Sequence, residues 1–220
     1  MEEVDRRLLD GRPPRAVFLP TAAALEGEAR WRYWVDLGLT HFARLGVEAE
    51  ALEVRERADA ERPDLAERIA GAGLVYLSGG DPGHLAATLV GTAVGRAIAA
   101  AWQGGAAVAG CSAGAIALTE RVPDIRDRSR PPAAGLALVH GLTVLPHFDR
   151  LEQWVPGIAA LAVEAAPAGT AVIGVDEDTA ILGGGTSWTV WGRQAAWRLT
   201  PDGRRIRFAA GETLELDGTG

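Results

Sequence analysis

The chain has 220 residues, 48% of them apolar and 23% charged, with a formal net charge of −7. That acidity excludes a general nucleic-acid binder, which needs a basic face, and the charged Met1–Asp10 stretch and lack of a long apolar run predict a cytoplasmic protein without membrane association. All 22 basic residues are arginine, which removes a lysine phosphate loop, a Schiff-base lysine and a Ser-Lys dyad, and the single Cys111 and four scattered histidines lead to an expectation of no metal and no cofactor.

In chain order, Ala16–Leu19 reads as a short buried strand ending at Pro20. Trp31, Trp34, Val35 and Phe42 fall at helical spacing within a helix over Leu25–Leu45, which Gly46 stops; Val47–Val54 alternates as a second strand. Pro63 opens a helix that ends near Gly71. Leu74–Leu77 is a third strand and runs into Ser78-Gly79-Gly80-Asp81. One alanine-rich helix is expected over His84–Trp102, then a strand of small residues over Ala106–Gly110 and a further helix. An apolar run within Leu142–Phe148 brings His147 to a strand end, and Ala171–Val175 is the next strand. Trp188–Trp191, Ala195–Leu199 and Arg205–Phe208 are short strands, the last two joined by a turn at Pro201-Asp202-Gly203, and a meander closing one sheet edge accounts for them. Alternation of strands and helices indicates a mainly parallel sheet covered on both faces, in a single domain over residues 1–220.

Gly110-Cys111-Ser112-Ala113-Gly114 carries the chemistry. A G-x-S-x-G pattern between a strand and a helix is the setting of a nucleophile elbow, in which a tight turn projects the hydroxyl from the carboxyl edge of the sheet. Register selects Ser112 over Cys111: centring on 112 places glycines at 110 and 114, whereas centring on 111 places alanines at 109 and 113. The Ala113 N–H, at a helix start, is an oxyanion donor, and the glycine pair at 79 and 80 offers a second or, taken alone, a cradle for a phosphate, against which the lack of lysine and of a G-x-G-x-x-G pattern argues. Serine needs a base, and His147, at the end of the run Leu142–Pro146, is the candidate; His41, His84 and His140 read as surface or capping residues. The orienting acid comes from the turn after Ala171–Val175, where Glu177 and Asp176 lead and Asp178 is third. The stretch Arg121–Arg130, with Arg126 and Arg128 inside it, reads as a solvated loop or as a basic surface beside the site.

Four segments in this order, Ser78–Asp81, Gly110–Ala115, Pro146–Phe148 and Gly174–Ala180, resemble peptidase family S51, the peptidase E and cyanophycinase group. The resemblance implies a flavodoxin-like three-layer α/β sandwich of the class I glutamine-amidotransferase-like type, with antiparallel strands at the C-terminal end. It implies a serine peptidase with Ser112 as nucleophile, His147 as base and Glu177 as the third member, and an oxyanion hole from the N–H groups of Gly80 and Ala113. The implied substrates are small acidic peptides, with Asp81 and Arg150 as candidate substrate contacts; a homodimer is compatible with the sequence. Aspartyl dipeptidases of the family carry an acidic, arginine-containing stretch after the histidine. Trp154–Ala166 here is mostly apolar and has no arginine, which leaves Arg150 or the Arg121–Arg130 stretch to supply positive charge. Two other functions fit parts of the pattern: a serine hydrolase acting on a non-peptide acyl group, and a catalytically silent amidotransferase-like binding domain.

Overall fold

The computed structural model describes residues 1–124 and 130–216. The chain forms two compact units, Glu2–Leu138 and Val139–Gly220, with Met1 grouped with the latter. The first contains α1 (Glu2–Leu9), β1 (Arg15–Leu19), α2 (Glu28–Arg44), β2 (Glu48–Ala51), α3 (Arg57–Ala60), α4 (Pro63–Glu67) and β3 (Leu74–Leu77). It continues with α5 (Pro82–Leu89), α6 (Ala93–Gln103), β4 (Ala107–Gly110), α7 (Ala113–Leu118) and the short pair β5 (Arg121–Val122) and β6 (Ala133–Ala134). Four strands pair in parallel in the order β2-β1-β3-β4, the beginning of the flavodoxin-like order.

Alternation along the strands sorts their side chains into two faces. Ala16, Phe18, Leu74, Tyr76, Ala107 and Ala109 share one face with Leu8, Leu9, Phe42 and Leu45. Val17, Leu19, Val75 and Leu77 turn to the other and are fully buried. Burial on both faces is why these strands read as short continuous apolar runs rather than as an alternating pattern. Sheet growth changes direction between β1 and β3, and in such sheets ligands bind outside the carboxyl ends of the strands at that point. The Ser78–Asp81 loop and the Gly110–Gly114 turn begin at those ends of β3 and β4.

The single helix expected over His84–Trp102 is two helices bent by 90°. Val90 leaves the helix with ψ 122°, Gly91 takes φ +73° and Thr92 begins α6 as its N-cap. The Thr92 hydroxyl donates to the Leu89 carbonyl at 2.7 Å and accepts from the Gly95 N–H at 3.2 Å, satisfying one orphan group on each side of the break. Composition favours helix throughout this stretch; a Gly-Thr pair that can end one helix and cap the next overrides it. Among the described residues no single helix is long and apolar enough to cross a membrane.

The second unit contains β7 (Leu142–Pro146), α8 (Phe148–Trp154), α9 (Ile158–Ala165), β8 (Ala171–Val175), β9 (Thr179–Gly184) and β10 (Ser187–Gly192). It ends with β11 (Ala195–Leu199), β12 (Arg205–Ala209) and β13 (Thr213–Glu215). β7 and β8 are parallel, and β11 and β12 extend them antiparallel in the order β12-β11-β8-β7. The expected closing meander is divided in two, because β10 pairs with β9 and β13 in a separate antiparallel sheet. Leu142, Ile173, Val190, Ala196, Leu214 and Leu216 form the core between the sheets. The other face of the four-stranded sheet carries Leu145, Phe148, Ala159, Val172 and Leu199, so α8 and α9 bury their apolar sides there.

A buried ionisable group in α1 makes the first unit sensitive to pH. Asp5 is 6% exposed, and its carboxylate meets His41 Nε2 at 2.7 Å. Burial pushes its carboxyl above the usual aspartate range despite that partner. The folded state therefore holds a proton more tightly than the unfolded chain, and stability falls as pH rises from the ordinary aspartate value through the raised one. Asp5→Asn removes this dependence. In urea unfolding across pH, the stability difference should move in the variant's favour through that window and stay constant above it; a difference independent of pH would refute the burial effect.

Candidate active site

Ser112 sits at φ +50°, ψ −114°, a conformation that costs an L-residue about 1–3 kcal/mol. The flanking glycines make the turn sterically feasible. A Cβ on Gly110 would fall on the backbone of Gly114, and one on Gly114 would fall on the Leu77 carbonyl at the end of β3. The Cys111 N–H donates to that same carbonyl at 3.0 Å, so the turn is tied to its neighbouring strand immediately before the serine. Ala113 opens α7 and is buried; the first N–H groups of a helix lack intrahelical acceptors and are available to a developing oxyanion.

The glycine pair after β3 lies against this turn. A Cβ on Gly79 would stand 3.4 Å from Ser112 Cβ and 3.5 Å from the Trp34 ring. Gly80 has φ +140°, and a Cβ there would fall on the Ala22 carbonyl, which accepts the Asp81 N–H at 2.8 Å. Glycine is thus required at 80 both by its backbone angle and by the close approach of the segment following β1. Asp81 Oδ1 accepts the His84 N–H at 2.9 Å and caps α5.

Cys111, the residue that competes for the elbow in sequence, lies on the Tyr76 side of the sheet. Burial pushes its thiol up, against opposing hydrogen bonds from the Tyr76 hydroxyl and the Gly79 N–H. A thiol held protonated is a poor nucleophile.

In the second unit, β7 delivers His147 to the start of α8. His147 adopts the left-handed conformation (φ +53°, ψ +37°) as the N-cap of α8, and its carbonyl accepts the N–H groups of Arg150 and Leu151 at 2.9 and 2.7 Å. Its Nδ1 lies 3.4 Å from Glu177 Oε1, within ion-pair range but long for a hydrogen bond. The three acids after β8 have separate surroundings. Asp176 is 7% exposed and accepts from the Trp197 indole N–H at 3.0 and 3.1 Å and from the Ala195 N–H at 3.3 Å. Asp178, at φ +53°, faces Arg193 at 3.5 Å on the surface. Only Glu177 of the three meets the imidazole among the described contacts. Spacing cannot separate them, since all occupy one turn.

Arg150 Nε stands 3.5 Å from Asp149 Oδ2. In the basic stretch, Arg121 begins β5 and Arg130 lies 3.9 Å from Asp124; Arg126 and Arg128 lie outside the described residues. No group of three or more His, Cys, Asp or Glu side chains among the described residues is arranged to hold a metal ion. Sequence reading missed Trp34 beside Gly79, and Trp154, 60% exposed with its ring 5.8 Å from that of His147. Trp34 was legible only as a core position of α2, and α8, which carries Trp154, went unpredicted.

The model of peptidase family S51 matches residues 2–190, and the chain belongs to this family. It is 35% identical to a peptidase from an acI-B1 actinobacterium, whose crystal structure superposes with a TM-score of 0.88 over 97% of this chain and 90% of that one. The cyanophycinases of Synechococcus elongatus and Thermosynechococcus vestitus are each 30% identical over 170 residues, 73% of this chain. The chain spans about half the length of these curated relatives, 51% in each case. A provisional peptidase E protein from Listeria monocytogenes EGD-e shares the fold, with a TM-score of 0.58, 18% identity and coverage of 94% of this chain and 88% of its own.

The raised thiol of the half-buried Cys111 has a direct consequence. Its alkylation by iodoacetamide near neutral pH should be slower than that of free cysteine by about tenfold or more, and denaturation should abolish the difference. Rapid labelling of the folded protein would show an activated thiol instead.

Proposed function

We propose that this chain is a serine peptidase that hydrolyses short acidic peptides, aspartyl peptides among them, through an acyl-enzyme on Ser112. The observation that carries the reading is the strained backbone of Ser112 in a glycine-flanked elbow: a fold maintains such a conformation against its cost where the half-buried side chain it presents has work to do. Membership of peptidase family S51 supports it, as does the pairing of His147 with Glu177.

Ser112 Oγ attacks the scissile carbonyl while His147 takes its proton. The carbonyl oxygen becomes an anion, stabilised by the N–H groups of Gly80 and Ala113. His147 then protonates the leaving amine, and the peptide C–N bond breaks to leave an ester on Ser112. Water, deprotonated by His147, attacks that ester, and His147 returns the proton to Ser112 Oγ as the acid leaves. Glu177 holds the imidazole tautomer with its proton on Nδ1 and offsets the positive charge of the imidazolium. Similarity to cyanophycinases supports an acidic substrate class, and Arg150 is the candidate for meeting the substrate carboxylate.

A dipeptide panel with N-terminal aspartate, other acidic residues and neutral residues tests the reading. Ser112→Ala should lower turnover by about a thousandfold or more; equal turnover by the variant and the parent would refute it. Glu177→Gln should lower turnover by about a hundredfold without loss of fold, whereas Asp178→Asn should stay near the parent. The reverse ranking would reassign the acid.

A further inference from the structure

Glu177 is a long side chain and 42% exposed, and His147 is 36% exposed. Packing around the carboxylate alone does not immobilise such a pair, so its geometry depends on what holds the backbone beneath it. The peptide groups on both sides of Glu177 Cα are held by side chains. The Glu177 N–H donates to Asp149 Oδ1 at 2.8 Å. The Glu177 carbonyl accepts from Gln194 Nε2 at 3.0 Å and from the Thr179 hydroxyl at 3.1 Å. Gln194 Nε2 also reaches Asp149 Oδ2 at 3.5 Å, which closes the ring. Asp149 lies in the first turn of α8, the helix that His147 caps. Between these two residues, Phe148 packs where a Cβ on Gly174 would stand. The segments His147–Asp149 and Gly174–Glu177 are thus joined at three successive points: ring on glycine, carboxylate on amide, and imidazole on carboxylate.

We propose that Asp149 is a positioning residue that sets the distance between His147 and Glu177, acting through the Glu177 backbone. Of the two clamps Asp149 carries more of the effect, because its bond to Glu177 N–H is partly buried whereas those of Gln194 are exposed to competing water. The role in turnover rests on the reading of Ser112, His147 and Glu177 as a triad; the positional role of Asp149 does not.

The test compares Asp149→Ala, which removes the acceptor, with Asp149→Asn, which retains a side-chain oxygen for the Glu177 N–H. The spectroscopic readout is the low-field imidazole N–H proton resonance of His147, assigned in histidine-labelled protein by its loss in Glu177→Gln. Expected is a resonance present in the parent and in Asp149→Asn and lost or broadened in Asp149→Ala, with cooperative unfolding retained. On a peptide the parent cleaves, Asp149→Ala should lower kcat by roughly ten- to hundredfold, and Asp149→Asn should restore most of it. In a Glu177→Gln background the same alanine substitution should cost little more, because both changes disable one device. No resonance in the parent, an unchanged resonance in Asp149→Ala, or an equal loss of kcat in both backgrounds would overturn the proposal. Loss of the resonance in a protein whose parent cleaves no peptide would uphold the clamp and sink the proposed activity.

Discussion

The backbone of Ser112 has to hold a positive-φ conformation that an L-residue adopts only at a cost. Much of the first unit can be read as the means of holding it. The turn is tight enough that Gly110 meets Gly114, and Gly114 meets the Leu77 carbonyl; the same carbonyl takes the Cys111 N–H. A strained residue persists where its surroundings over-determine it, and here the neighbouring strand, the helix start and the glycine pair at 79 and 80 all close on one point.

That crowding extends to β1. The Ser78 N–H bonds the Leu19 carbonyl at 3.1 Å, and the Asp81 N–H bonds Ala22, so the ends of three adjacent strands are linked through main-chain groups rather than through side chains. Main-chain linkage leaves the glycine loop narrow. It also gives Asp81 a structural task as the cap of α5. The second unit holds its pair by other means. His147 and Glu177 are brought together by side chains gripping the backbone, in a unit whose sheet presents Gly174 as a recess for Phe148.

Legibility followed from how local each determinant is. The elbow was readable because its glycines, its serine and the small-residue strand before it are contiguous, and the clash that demands glycine at 110 arises within five residues, although the one at 114 is with Leu77 of the neighbouring strand. β3 and β8 were found at their observed ends because both are short apolar runs closed by polar or glycine turns. The break between α5 and α6 was missed because helix propensity summed over the stretch masks a single Gly-Thr stop and cap. α8 was missed because its apolar residues answer to a sheet face that only tertiary packing supplies.

The sequence by itself determined the strand-to-helix turn at Ser112, the parallel α/β class and the exclusion of lysine chemistry, since each depends on residue type and short-range sterics. Spacing left Asp176, Asp178 and Glu177 unseparated; the family resemblance preferred Glu177, and the tertiary structure supplies the physical difference between them. Three acids in one turn have nearly the same sequence environment, and they differ through groups far along the chain: the Trp197 indole for the first, Arg193 for the second, His147 for the third. It also placed Asp149 against the Glu177 amide, a hydrogen bond between residues 28 positions apart that depends on how β7 and β8 pair.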